Sequence, residues 1–311
     1  MICHLFLKAD PVSAEPLEGG HINDTYLIRT GSGKYVLQRL QSKMDPGRLI
    51  YNYGLYAPVF DAHGFLYPKW IRSDNGEYFR TDGGGVRWRM YPYIEGEVLR
   101  TPLTKEQLYA CGQGLSRVHR ILKDLLGTPQ AVYPILHDLK YFYNCYRELL
   151  AGGDIMEENR DTAVEEQLEE RLGAFLSWAP ANDIAVIHGD AKLSNMLFRD
   201  GQVTGMLDLD TIMLGSVTEE LADCIRSCCE NRSGFDREAA VILAEGYRSG
   251  DAAIPLELSH LPQAFDKIHL ELALRYYTDA LSKEKHFKEQ YPGYRLTRVR
   301  ELLGVTWNEK I

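Results

Sequence analysis

His188-Gly189-Asp190-Ala191-Lys192-Leu193-Ser194-Asn195 places a carboxylate, an ammonium and a carboxamide close together, and Asp208 adds a second carboxylate thirteen residues after Asn195. Phosphoryl transfer from a nucleotide requires such a set. The transferring group is wrapped in negative charge, so a divalent cation must bridge its oxygens, and Mg²⁺ takes one or two carboxylates together with phosphate and water. Asp208 supplies an anionic ligand and Asn195 a neutral oxygen. Asp190 can orient an acceptor hydroxyl and take its proton, and Lys192 stands where it can meet the γ-phosphate. Taken singly these residues also read as turn and strand-end polar groups, but their combined spacing is far more demanding than any one of them. His188 reads as a brace for the loop. In the Leu207-Asp208-Leu209-Asp210 alternation both carboxylates fall on one strand face, so Asp210 either aids the metal or orients a neighbour.

These residues need elements to hold them. The apolar run 184–187 reads as a buried strand leading into the loop. The segments 196–199 and 202–209 flank Asp200-Gly201, a pair that favours a two-residue hairpin turn, so the hairpin returns Asp208 beside Asn195. The first 90 residues read as strands at 24–30 and 34–40, a helix near 45–60 with Pro58 close to its end, a hairpin around Asp74-Asn75-Gly76, and a strand over 86–90. Beyond Tyr91-Pro92-Tyr93 the pattern becomes helical. Thr104 and Gln107 form a capping-box pair, and Leu108, Cys111, Leu115, Val118 and Leu122 make one apolar stripe. Further helices are expected over 137–150, 162–178, 218–230, 235–249 and 257–286. The fold class is therefore α+β: a small antiparallel β lobe over 1–92, and a larger helical lobe over 93–311 that carries a short catalytic hairpin.

Composition narrows the function. The chain has 311 residues, 35 Lys+Arg and 44 Asp+Glu, a net charge of −9, and 45% hydrophobic residues. This excludes a disordered chain and argues against a nucleic-acid partner, which asks for a basic surplus. No apolar run is long enough to span a membrane. The start, MICHLFLKADPV, lacks the basic and apolar regions of a signal peptide. The six cysteines show no C-x-x-C pair, so they read as buried apolar residues and free thiols, and the expected compartment is the cytoplasm.

The segment Gly19-Gly20-His21-Ile22-Asn23-Asp24-Thr25 lies where a loop between the first two strands would cover phosphates, and its glycines let backbone N–H groups approach an anion. On its own a Gly-Gly turn before a strand is more often only a turn. Gly83-Gly84-Gly85 fits a hairpin loop and carries no assigned chemistry. The place where kinases carry a strand lysine is taken by Gln38, with Arg39 pointing to the opposite face. Either Arg39 turns in, or Lys192 and the metal carry that load, or nucleotide affinity is modest.

HGDAKLSNMLF and GMLDLDT together resemble the catalytic segment of the aminoglycoside phosphotransferase and choline kinase superfamily, which shares the protein-kinase-like fold. GGHINDTYLIR, KYVLQRL, WRMYPYIEG and ELALRYYTDALSKEKHFK with YPGYRLTRVR further resemble the N-acetylhexosamine 1-kinases, over roughly residues 19 to 300. The resemblance implies that Asp190 is the catalytic base, that Asn195 and Asp208 bind Mg²⁺, and that Met90–Ile94 is the hinge beside the adenine. Residues expected to touch ATP are thus Gly20, His21, Asn23, Thr25, Gln38, Met90, Tyr91 and Tyr93. Acceptor candidates on the helical lobe are the pairs Asp223 with Arg226 and Arg275 with Asp279, each sharing a helix face; by composition alone each reads as a surface ion pair. Trp88, Tyr276 and Tyr277 could stack on a sugar or belong to the core. The reading that follows is an ATP- and Mg²⁺-dependent kinase acting on the anomeric hydroxyl of an N-acetylhexosamine. Its alternatives are another hydroxyl acceptor (aminoglycoside, choline or homoserine) or a non-catalytic nucleotide-binding protein. A protein kinase is disfavoured, since Leu207-Asp208-Leu209 replaces D-F-G and no A-P-E segment follows.

Overall fold

The computed structural model describes residues 2–7, 11–17, 24–42, 44–134, 136–153, 155–178, 183–231, 234–250 and 258–307. Strands Pro11–Pro16 (β1), Asp24–Thr30 (β2), Gly33–Arg39 (β3), Arg80–Thr81 (β4) and Arg87–Pro92 (β5) form one antiparallel sheet in the order β1-β2-β3-β5-β4. Because side chains alternate across a strand, residues paired in register share a face. Leu37 lies opposite Met90, and both pack with Ile28, Cys3 and Phe6 on one face. Gln38 lies opposite Arg89 and Val36 opposite Tyr91, on the other face.

The helix Pro46–Ala62 (α1) starts at Asp45, whose side chain accepts from Gly47 N, and it runs four residues past Pro58. The turn at 74–76 forms, closed by Ser73 N–H donating to Glu77 O at 2.8 Å. The hairpin expected around it goes no further than that closure: residues 67–73 make no strand, and Ile71 N–H donates to Met90 O of β5 instead. Burial of aromatic rings replaces the ladder here. Trp70 stacks on Tyr53 with centroids 4.3 Å apart, and Tyr67 and Tyr78 pack around the same ring.

The helical lobe comprises Lys105–Leu122 (α2), Leu139–Gly152 (α3), Thr162–Phe175 (α4), Val217–Cys229 (α5), Arg237–Ser249 (α6), Leu261–Leu281 (α7) and Tyr294–Leu303 (α8). The Thr104–Gln107 capping box is present on α2, and its expected apolar stripe is buried throughout. That stripe meets Leu221 and Ile225 of α5 and Leu243 of α6 in one core. Gly112 permits the close approach of α6, since a Cβ there would lie 2.0 Å from Leu243 O. Within the stretch expected to be helical over 257–286, α7 ends at Leu281; α8 follows as an additional helix packed against it. The cysteines are free, and all but Cys145 are buried. Among the described residues no helix is long and apolar enough to cross a membrane.

Two short antiparallel pairs carry the site. Ile184–Ile187 (β6) pairs with Met213–Ser216 (β9), and Met196–Arg199 (β7) pairs with Gln202–Met206 (β8). The turn of the second hairpin is Asp200-Gly201, both at positive φ (+49° and +74°), as a type I′ turn requires.

Candidate active site

From β6 the chain enters His188 and turns at Gly189, where φ is +85° and a Cβ would lie 2.4 Å from Thr211 O. Glycine alone suits that turn. His188 braces the loop on both sides. Burial holds its imidazole below the ordinary value, and the neutral ring accepts from Asp190 N–H at Nδ1 (3.2 Å) while its Nε2 donates to Leu207 O (2.9 Å). Beneath it Glu220 of α5 accepts from the backbone N–H groups of His188 and Gly189. Burial pushes the Glu220 carboxyl up, but His119, itself bonded to Tyr247 Oη, together with His188 and the Gly189 N–H holds it below its usual range.

The loop presents Asp190 into the cleft. Its Oδ2 accepts from Lys192 Nζ at 2.6 Å and from Asn195 Nδ2 at 3.2 Å. Asn195 Nδ2 also donates to Asp190 O at 2.8 Å, which leaves the amide oxygen at the opposite end of the group. The returning hairpin brings Leu207 N–H onto Asn195 O at 2.8 Å, so Asp208 follows directly beside Asn195, with φ +56°. Its carboxyl is pushed up to about 7, first by burial and then by the Asp210 and Asp190 carboxylates, against the smaller opposing pull of Lys192 and Arg89. Among the described residues no three His, Cys, Asp or Glu side chains converge to hold a metal unaided. A crowded carboxylate and a carboxamide brought near each other by the Leu207–Asn195 backbone contact instead suit a cation that completes its shell with phosphate and water.

Asp210 does not join that pair. It is buried (3% exposed) and takes a two-pronged contact from Arg89, Nη1 to Oδ1 at 2.6 Å and Nη2 to Oδ2 at 2.7 Å. Arg89 Nε and Nη2 also donate to Gln38 Oε1, at 2.8 and 2.6 Å, and its guanidinium lies 4.9 Å from the Trp70 ring. A buried cation from β5 thus fills the space beside Gln38 and ties the sheet to the catalytic hairpin. The sequence reading missed Arg89, because its position next to Gln38 depends on the β3–β5 register. It missed Glu220 as well, whose only signal is an acid set among the apolar residues of α5.

Of the expected nucleotide-side residues, Gly20, His21 and Asn23 lie outside the described residues. Thr25 pairs in register with Gln38. Tyr91 stands on the Arg89 face, and Tyr93 N–H donates to Lys34 O at 2.9 Å. Strand alternation turns the Met90 side chain into the fully buried opposite face, and its carbonyl accepts from Ile71 N–H. Arg39 borders the cleft but is paired with Asp24 at 3.0 Å.

A cleft of about 2320 Å³ opens over Asp190 and Lys192, and Asp223, Arg226 and Arg275 line it. Asp223 and Arg226 pair at 2.8 Å and are mostly buried (11% and 14% exposed), not a surface pair. The Arg275–Asp279 pair does not form. Asp279 accepts instead from Arg295 Nε of α8 and from the backbone N–H groups of His286 and Phe287, while Arg275 approaches Glu271 at 3.6 Å. Trp88 donates to Asp82 outside the cleft, and Tyr277 is core. Tyr276 stacks on Phe287 at the cleft wall, centroids 4.0 Å apart.

The sequence profile of the phosphotransferase enzyme family matches residues 13–253. A homoserine kinase of Methylobacterium nodulans is 24% identical over 81% of this chain and 75% of its own length. Among solved structures, an amicoumacin kinase in complex with AMP-PNP, Ca²⁺ and Ami superposes with a TM-score of 0.68 at 13% identity, covering 97% of this chain and 91% of that one. The choline kinase LicA of Streptococcus pneumoniae superposes with a TM-score of 0.63 at 17% identity, covering 97% and 95%. These superpositions confirm the kinase-like two-layer arrangement of antiparallel sheet and helical lobe.

Proposed function

Because the chain belongs to the phosphotransferase enzyme family, whose model matches most of its length, we propose that it is an ATP- and Mg²⁺-dependent small-molecule kinase with Asp190 as its base. The observation that carries this reading is the Asp190 carboxylate, held by Lys192 and Asn195 and lining an open cleft, with Asp208 near enough for the two carboxylates to repel. Asp190 orients the acceptor hydroxyl and receives its proton as the oxygen bonds to the γ-phosphorus and the bond to ADP breaks. Lys192 holds Asp190 in place and offers its charge to the γ-phosphate. When bound, Mg²⁺ at Asn195 and Asp208 would neutralise charge on the phosphate oxygens. With Arg89 buried and fully engaged, it does not grip phosphate; that task falls to Lys192, the metal and the backbone around Thr25. A complete Asp190–Asn195–Asp208 set, with Lys192 paired to Asp190, favours catalysis over mere nucleotide binding.

Two acceptors follow from different observations. The names of the curated relatives favour homoserine, which carries an ammonium and a carboxylate on one carbon two methylenes from its primary alcohol, and the cleft wall offers both carboxylates and guanidinium groups for them. The likeness of the segments around Gly20, Arg89 and Arg275 to N-acetylhexosamine 1-kinases favours the anomeric hydroxyl of N-acetylglucosamine or N-acetylgalactosamine. A coupled ADP-release assay with Mg·ATP across homoserine, both hexosamines, choline and an aminoglycoside separates them, and phosphorus NMR of the product identifies the modified oxygen. Acceptor-independent ADP release, or none with any hydroxyl compound, would remove the kinase assignment.

A further inference from the structure

Among the described residues, one acid lining the cleft is buried with a carboxylate oxygen that no partner satisfies. Glu271 of α7 lines the same cleft as Asp190, yet its side chain is only 3% exposed and its Oε2 has no hydrogen-bond partner. Its neighbours surround it without satisfying it. His137 Nδ1 stands 3.9 Å from Oε1 and Arg275 Nη1 3.6 Å from it, both beyond hydrogen-bond range. Arg275 is held off by the rings of Phe142 and Phe287, at 4.7 and 5.7 Å. Lys267 is committed to Glu219. His137 Nδ1 is also buried without a partner, and this residue sits at φ +62°, unusual for a non-glycine. Burial accordingly pushes the Glu271 carboxyl up, more than His137, Arg275 and Lys267 pull it down.

Buried polar atoms are nearly always paired, and two orphans side by side in the lining of a ligand-sized cleft mark a place where a ligand completes the bonding. We infer that Glu271 and His137 form the acceptor-recognition subsite, taking an N–H or O–H donor group that the acceptor carries near its reacting hydroxyl. This rests on the kinase reading above and deepens it. The subsite shares its cleft with the loop at 188–195: His137, Glu271, Asp190 and the paired Asp223 and Arg226 all line it. The two candidate acceptors share the required chemistry, an ammonium on homoserine and ring hydroxyls or an amide N–H on the hexosamines.

Glu271→Met and Glu271→Gln enzymes, with wild type, are assayed for acceptor KM, ATP KM and melting temperature. Glu271→Met is expected to raise the acceptor KM about tenfold or more, as loss of a charged hydrogen bond does, with the ATP KM within about twofold. Its melting temperature should equal or exceed that of wild type, because an unpartnered buried acid is replaced by an apolar group of similar size. A structural carboxylate would behave in the opposite way. Glu271→Gln tells the donor's source: an ammonium acceptor suffers nearly as much as with Met, whereas a hydroxyl or amide acceptor keeps most of its affinity, since the amide oxygen still accepts. A lowered melting temperature in Glu271→Met, or an acceptor KM within about twofold of wild type, overturns the subsite while leaving the kinase intact. Failure of the wild-type enzyme to use any acceptor removes the kinase reading and the subsite with it.

Discussion

Replacing Arg89 by Met tests whether the buried contact between sheet and hairpin holds the two lobes in register. The substitution leaves the Asp210 carboxylate, 3% exposed, with no cation, and leaves Gln38 Oε1 without its two donors. Unit charges about 4 Å apart attract by about 4 kcal/mol at an effective dielectric near 20. Removing one member of a buried pair measures about 3–5 kcal/mol. Against a total stability of about 5–15 kcal/mol, such a loss is large. Urea unfolding followed by tryptophan fluorescence is a suitable assay, because Trp70 lies against Arg89. The double variant Arg89→Met, Asp210→Leu removes the stranded charge and should regain at least about 2 kcal/mol, since apolar replacement of a whole buried pair is often neutral or better. Arg89→Lys keeps the charge but loses the fork and should fall between wild type and Arg89→Met. A single variant within about 1 kcal/mol of wild type, or a double variant no better than the single, would refute the reasoning.

Asp190→Ala should lower turnover by about 10²–10⁴-fold, the usual worth of a general base, while calorimetry still shows Mg·ATP binding; unchanged turnover removes Asp190 from its role. Mg·ATP at about 100 times its dissociation constant should stabilise the protein by about 2.7 kcal/mol, read as a rise in melting temperature that EDTA reverses in large part; equal shifts with and without the metal would show that Asn195 and Asp208 hold none. Asp279→Ala should act on stability and not on acceptor choice, because Asp279 secures Arg295 and the backbone at 286–287. A changed acceptor preference with an unchanged melting temperature would return Asp279 to the acceptor site.

Local pattern was sufficient for the parts of this protein whose causes are local. The Asp200-Gly201 turn and the α2 capping box are set by residues within a few positions of one another, and the spacing from Asp190 to Asn195 to Asp208 by one short hairpin, so the sequence alone determined the α+β class and the grouping of these acids. The contacts that decide what each polar side chain does join residues far apart in the chain. Arg89 meets Asp210 across 121 positions, Glu220 reaches back to the His188 backbone, and Asp279 turns to Arg295 instead of to Arg275 on its own helix. Strand register and helix packing choose among such partners, and neither is written in the spacing of one segment. For the same reason Glu271 drew no notice in the sequence: an acid among apolar residues reads as one more exposed charge until the fold buries it and leaves one oxygen unbonded in the cleft.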